Sequence, residues 1–133
     1  MSDTYIPRGE GRRQFAKSVW FNLDNGAGTT IDDILLYVSL PISIKAARIV
    51  YVDATTGTVA AGNAKIGTTV GGAELVAATA YGNTATVGSV TAMTLTAAAA
   101  YVAANTMISC RHTGVAATQA GQAYVEIEYV VLP

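Results

Sequence analysis

The chain has 133 residues, of which 17 are charged, about half the share found in an ordinary soluble domain. Eight bases against nine acids give a formal net charge of −1. That balance argues against a general nucleic-acid or membrane-surface binder, which needs a basic excess, and the weak self-repulsion favours association of the free subunit.

The single cysteine, Cys110, excludes an intramolecular disulfide framework and any CxxC zinc site. A mass of 13.7 kDa suits one domain that buries about two-thirds of its unfolded surface. Ala, Thr, Gly and Val supply 68 residues, a composition of strands and tight turns. The longest apolar run, residues 97–104, has eight residues against the roughly 18 that a membrane helix needs. The opening MSDTYIPRGEGRRQF has no apolar centre and is no secretory signal. The chain is expected to be made and folded in a cytoplasm.

Residues 1–17 carry Arg8, Arg12, Arg13 and Lys17 against Asp3 and Glu10, while residues 18–133 are net acidic. With Pro7, Gly9 and Gly11 and no periodicity, the opening reads as an extended arm. Fully extended, it spans roughly 55–60 Å, enough to reach well onto a neighbour. The body is residues 18–133.

From Phe15 onward the chain reads as strands at the spacing of an all-β sandwich or barrel. A first strand covers about residues 15–22 and ends at DNGAG, where Asn25-Gly26 favours a tight hairpin turn. The second, residues 30–40, is apolar on both faces and is expected to be a central strand covered on both sides, stopped by Pro41. A third covers residues 47–54 and ends at the turn Thr55–Gly57. Residues 58–70 are weaker and close on Gly71-Gly72 as a hairpin. Residues 73–80 and 84–96 give two more strands. Residues 97–104 are either a helical turn or a surface loop. Residues 106–113 alternate Met107, Ser109 and Arg111 against Ile108, Cys110 and His112. The last strand sets Ala123, Val125, Ile127, Tyr129 and Val131 on one face and Tyr124, Glu126, Glu128 and Val130 on the other. The total is about eight strands.

Constellations that would carry chemistry are thin. Cys110 and His112 share a strand face about 7 Å apart with no carboxylate near in sequence, short of a catalytic dyad and its orienting group. They read as a small buried Cys beside an edge-facing His. Gly26–Thr30 begins like a dinucleotide fingerprint, but a strand follows where that motif needs a helix N-terminus. Asp24, Asn25, Asp32 and Asp33 form no calcium loop. Glu126 and Glu128 sit on one strand face, where a solvated face or a neighbouring Arg accounts for them better than acid–base work. No catalytic residue, cofactor or metal site is assigned. Phe15 and Trp20 lie where the arm joins the body, suited to anchoring it into the core or into a partner.

The order of features resembles a known family. A polar arm precedes DNGAGTT, then ILLYVSLP, KAARIVYVDATTG, a GG turn with AELVAA, TMISCR and a closing AYVEIEYVV. Across roughly residues 18–132 this is similar to the small jelly-roll head-decoration (cement) proteins of tailed bacteriophages. The resemblance implies a jelly roll forming a homotrimer at three-fold and quasi-three-fold axes on the outer capsid surface. It also implies that the arm runs over the major capsid protein, a role that falls here on Tyr5, Ile6, Arg8, Arg12, Arg13 and Phe15. Two other classes share the architecture. A trimeric phage fibre or receptor-binding tip would sit at the tail rather than over the head. A cupin-like enzyme wants several histidines for its metal, and one is present.

Overall fold

The computed structural model describes residues 12–57, 59, 62–96, 101–115 and 120–133, and these hold ten strands. In chain order they are β1 (Gln14–Lys17), β2 (Phe21–Asn22), β3 (Thr30–Val38), β4 (Ile42–Thr56), β5 (Asn63–Gly67), β6 (Val76–Ala80), β7 (Val90–Met93), β8 (Tyr101–Val102), β9 (Thr106–Thr113) and β10 (Ala120–Val131). One sheet has the order β1-β10-β4-β7, with β2 also on β10 and β8 also on β4; the other has the order β3-β9-β5-β6. All the pairings are antiparallel. If β1 and β2 count as one interrupted strand and the short β8 is set aside, eight strands form two facing four-stranded sheets. The chain passes repeatedly from one to the other, as in a jelly roll.

The two longest pairings follow from clean alternation. β10 buries Ala123, Val125, Ile127 and Tyr129 and turns Tyr124, Glu126 and Glu128 outward. It lies between β1 and β4 at the middle of its sheet. β9 buries Ile108, Cys110 and His112 at the middle of the other. Between the sheets, Leu23, Ile44, Ile49, Tyr51, Ile66, Val76, Tyr81 and Ile127 join one continuous core. Each bulky side chain buried there stabilises the fold by about 1.5–3 kcal/mol relative to exposure.

The structure differs from the sequence reading in several places. The third strand, for one, runs over Ile42–Thr56 rather than residues 47–54, because β10 and β8 pair with its start. The first strand, read as residues 15–22, is two short strands, because residues 18–20 leave the ladder. Ser18 there is buried, its Oγ taking the Val125 N–H at 2.9 Å and donating to the Val19 carbonyl at 3.0 Å. The DNGAG turn is no hairpin, since β2 and β3 belong to different sheets. It crosses between them beside a second crossing, with Gly26 N–H on Val115 O and Val115 N–H on Leu23 O.

β3 is an outermost strand, not a central one. Its register slips between Ile34 and Leu36, so Leu35 and Val38 are both buried although three positions apart. One extra residue exchanges the faces. That leaves Ile34 and Tyr37 facing solvent.

Finally, residues 84–89 are turns rather than strand, with Thr84 at φ 57° and Gly88 at φ 81° breaking the ladder. Within the stretch left open as helical turn or loop, Tyr101–Val102 is a strand against Ile42 and Ser43, and residues 97–100 lie outside the described residues. The Gly71-Gly72 turn does join a hairpin, β5 to β6. Gly71 has φ +74°, and a side chain there would meet the Arg111 guanidinium carbon at 2.7 Å.

Candidate partner-binding surface

Of the residues assigned to the arm, Tyr5, Ile6 and Arg8 lie outside the described residues. Arg12 is exposed. Residues 14–17, read as the end of the arm, are a strand of the sheet, with Phe15 opposite Glu128 and Lys17 opposite Glu126. The chain preceding Gln14 therefore leaves from a fixed point on the body.

That point carries an ion cluster. Arg13 pairs with Glu128. From β4, Arg48 donates to Glu126 at 2.5 Å and to Glu128 at 3.1 Å. The residue that leads into β1 is thus joined with β4 and β10 through two carboxylates. The hydrogen bond from Arg48, then the charge of Arg13, holds Glu128 below the usual carboxylate range, and Glu126 first, then Glu128, holds Arg48 above its usual value. The two glutamates are partners for arginine, one of the two readings the sequence left open beside a solvated face.

Phe15 is 54% exposed and Trp20 61% exposed, so neither anchors the arm into the core. Val19, next to Trp20, is 54% exposed as well. Val19 donates its N–H to Asp33 Oδ2 at 2.8 Å, which sets residues 18–20 against β3. Along β3 and just beyond it, Ile34, Tyr37 and Leu40 are 59%, 61% and 46% exposed. At its far end this apolar strip borders a groove of about 230 Å³ lined by Leu36, Leu40, Ile42, Tyr129, Val131 and Gln14, among others. Long apolar outermost strands are where other chains add. The sequence reading missed this strip because it placed β3 inside the sheet. Asp32 and Asp33, on opposite faces of one strand, were the available sign of an edge.

The side chains tested for chemistry lie elsewhere. His112 is not at an edge: it is 1% exposed, stacked on Phe21 with ring centroids 3.4 Å apart. Its Nε2 lies 3.5 Å from Cys110 Sγ and 3.3 Å from Ser18 Oγ, and its Nδ1 lies 3.4 Å from Tyr81 OH. Burial lowers the imidazole pKa to about 3 and raises the Cys110 thiol well above its usual range. Neutral imidazole and protonated thiol are packing partners, and the thiol is far from the thiolate a nucleophile requires. Asp32 is held by Arg111 through two bonds of 2.7 and 2.9 Å, which lower its pKa. Among the described residues no three His, Cys, Asp or Glu side chains converge on a metal position.

No family model and no curated protein matches the sequence. Among solved structures, the chain is similar to one from "Cyanophage Pam1 capsid asymmetric unit", with a TM-score of 0.64 and 14% identity over 100% of this chain and 93% of that one. A second likeness is to a chain of "Structure of infectious bursal disease virus Gx strain", at a TM-score of 0.42 and 12% identity over 98% of this chain and 37% of that one; no argument rests on it. At 14% identity the first match speaks for the fold: this chain and the cyanophage capsid chain share one β architecture from end to end.

Proposed function

We propose that this protein is a structural component of a virus particle, and within that class a decoration protein of a tailed-phage head. It binds the outer surface of the capsid as a homotrimer and stabilises the shell by bridging neighbouring major capsid subunits. The observation that carries the reading is the whole-length fold likeness to a chain of the cyanophage capsid asymmetric unit. The two chains are matched almost completely, so the likeness is to a small capsid component and not to one domain of a large one. The arm segment with Tyr5, Ile6, Arg8, Arg12 and Arg13, together with Phe15 at its root, supplies the capsid contact. Three arms on one trimer act at high effective concentration. The role is structural, with no catalytic step, and needs neither nucleic acid nor membrane.

The test is decoration of stripped particles, followed by quantitative gel and particle imaging. Full-length protein should occupy the head surface. Protein lacking residues 1–13 keeps β1 intact and should stay folded but attach far more weakly. Density confined to the tail would favour a fibre or receptor-binding tip. Equal occupancy by the truncated protein would remove the arm from the mechanism, and a monomer both by light scattering and on the particle would remove the trimer.

A further inference from the structure

We infer that copies of this chain meet head to tail, the side of one subunit formed by β6 and β7 packing on the side of the next formed by β1 and β3. This rests on the homotrimer proposed above and names the two surfaces that build it.

The sheet orders put these strands at opposite sides of the sandwich. β1 and β7 end the first sheet, and β3 and β6 end the second. β6 and the chain just after β7 come together through a bridge between Val76 and Leu95 and through Thr96 N–H on Leu75 O at 3.0 Å. On the other side Val19 N–H meets Asp33, and a groove separates Gln14 from Leu36–Leu40.

The sequence marks the β6/β7 side. Between Glu74 and Arg111 it holds no charged residue, and that stretch supplies β6, β7 and β8. Outermost strands of a free subunit are ordinarily protected by charge, lysine above all. Here β6 exposes Ala77, Ala78 and Ala80 and β7 exposes Val90, with Val87 exposed in the turns between them. The β3 side is apolar in its turn, with Ile34, Tyr37 and Leu40 exposed. Asp32, two residues before Ile34, is neutralised by Arg111.

Two unlike apolar sides on one chain are what a head-to-tail contact needs, since each copy gives one patch and receives on the other. A foreign partner would account for one side and leave the other bare. Size agrees. β3 runs nine residues, about 30 Å, and packed sheets lie about 10 Å apart. With its outward side chains, such a side approaches the roughly 800 Å² that each partner gives to a standard interface. A net charge of −1 opposes the contact little.

The test is native mass spectrometry of the full chain and of two variants, Tyr37→Asp on the β3 side and Val90→Asp on the β7 side. Both residues are exposed in the subunit, so thermal midpoints should hold. Ile34→Asp and Ala78→Asp repeat the comparison at a second position on each side. The unmodified chain should be trimeric and each variant alone monomeric. Mixed at high concentration, the two variants should form a one-to-one dimer, because each retains the side that the other has lost. Trimers persisting in either variant would overturn the inference and leave the trimer standing on another surface. Variants that stay folded and monomeric when mixed would overturn it too, since a head-to-tail contact must pair them. An unmodified chain that is monomeric in solution and on the particle would remove the trimer itself, and this contact with it.

Discussion

Ser18 Oγ lies 3.3 Å from His112 Nε2, so the break between the first two strands is tied to the middle of the opposite sheet. The same hydroxyl accepts the Val125 N–H from β10. One serine therefore ties its own segment to β9 and β10, 94 and 107 positions further along the chain.

The first prediction follows from that histidine. Burial lowers its pKa to about 3 from the 6.5 of a free imidazole. A depressed histidine contributes stability fully above the unfolded value and loses it as pH falls toward the folded one. The loss should reach about 3 kcal/mol by pH 4.5. Thermal midpoints at pH 7.5 and 4.5 should separate clearly in the unmodified protein and much less in His112→Gln, whose side chain does not titrate. An equal drop in both would place the acid sensitivity elsewhere.

The second concerns Gly114. A methyl group added there would overlap Asn25 Oδ1 and come within 3.0 Å of the Gly26 carbonyl. Gly114→Ala should cost about 1–3 kcal/mol in denaturant unfolding. Asn25→Ala in the same chain should recover part of that cost, because the two side chains compete for one space. No recovery would mean that the backbone contact dominates.

The third addresses the Arg48 bridge. Arg48→Met keeps the stem and removes the head that joins Glu126 to Glu128. The expected loss is small, about 1 kcal/mol. The Glu128 carboxyl should titrate closer to its ordinary range, measurable by NMR. An unchanged titration would give Arg13 the larger share.

The fourth separates the apolar strip from the core. Trp20→Ser and Ile34→Thr remove exposed side chains, so the unfolding free energy should stay within about 0.5 kcal/mol of the unmodified protein. Self-association or particle occupancy should fall. If unfolding shifts while association holds, the strip supports the fold and meets no partner.

How far the fold was legible depends on the strand. The alternation of β10 reads directly from residues 123–131, whereas it leaves open whether Glu126 and Glu128 face solvent or arginine. β9 was equally plain in extent, yet its place at the centre of the sheet was not, which put His112 at an edge. β3 failed differently. Apolar residues on both faces look the same whether a strand is covered by its own protein or left for another. A register slip at Leu35 also exchanges faces without any mark in composition. The Asn25-Gly26 turn misled because turn chemistry fixes a local bend and says nothing about which sheet receives the next strand. Charge and punctuation assigned residues 14–17 to the arm as well, because the ladder that claims them is contributed by residues more than a hundred positions away.

That separation governs the order of events as the chain is made. β10 leaves the ribosome last of the ten strands, yet β1, β2 and β4 all pair with it. Until it emerges, the first sheet lacks its middle. β4 can find β7 and β8 early, while Gln14–Lys17 has no ladder to join and Phe21 has no floor beneath it. Such dependence on distant pairing makes folding slow and late. During that wait the apolar faces of nascent subunits are open to each other, so crowding on one message would favour aggregation.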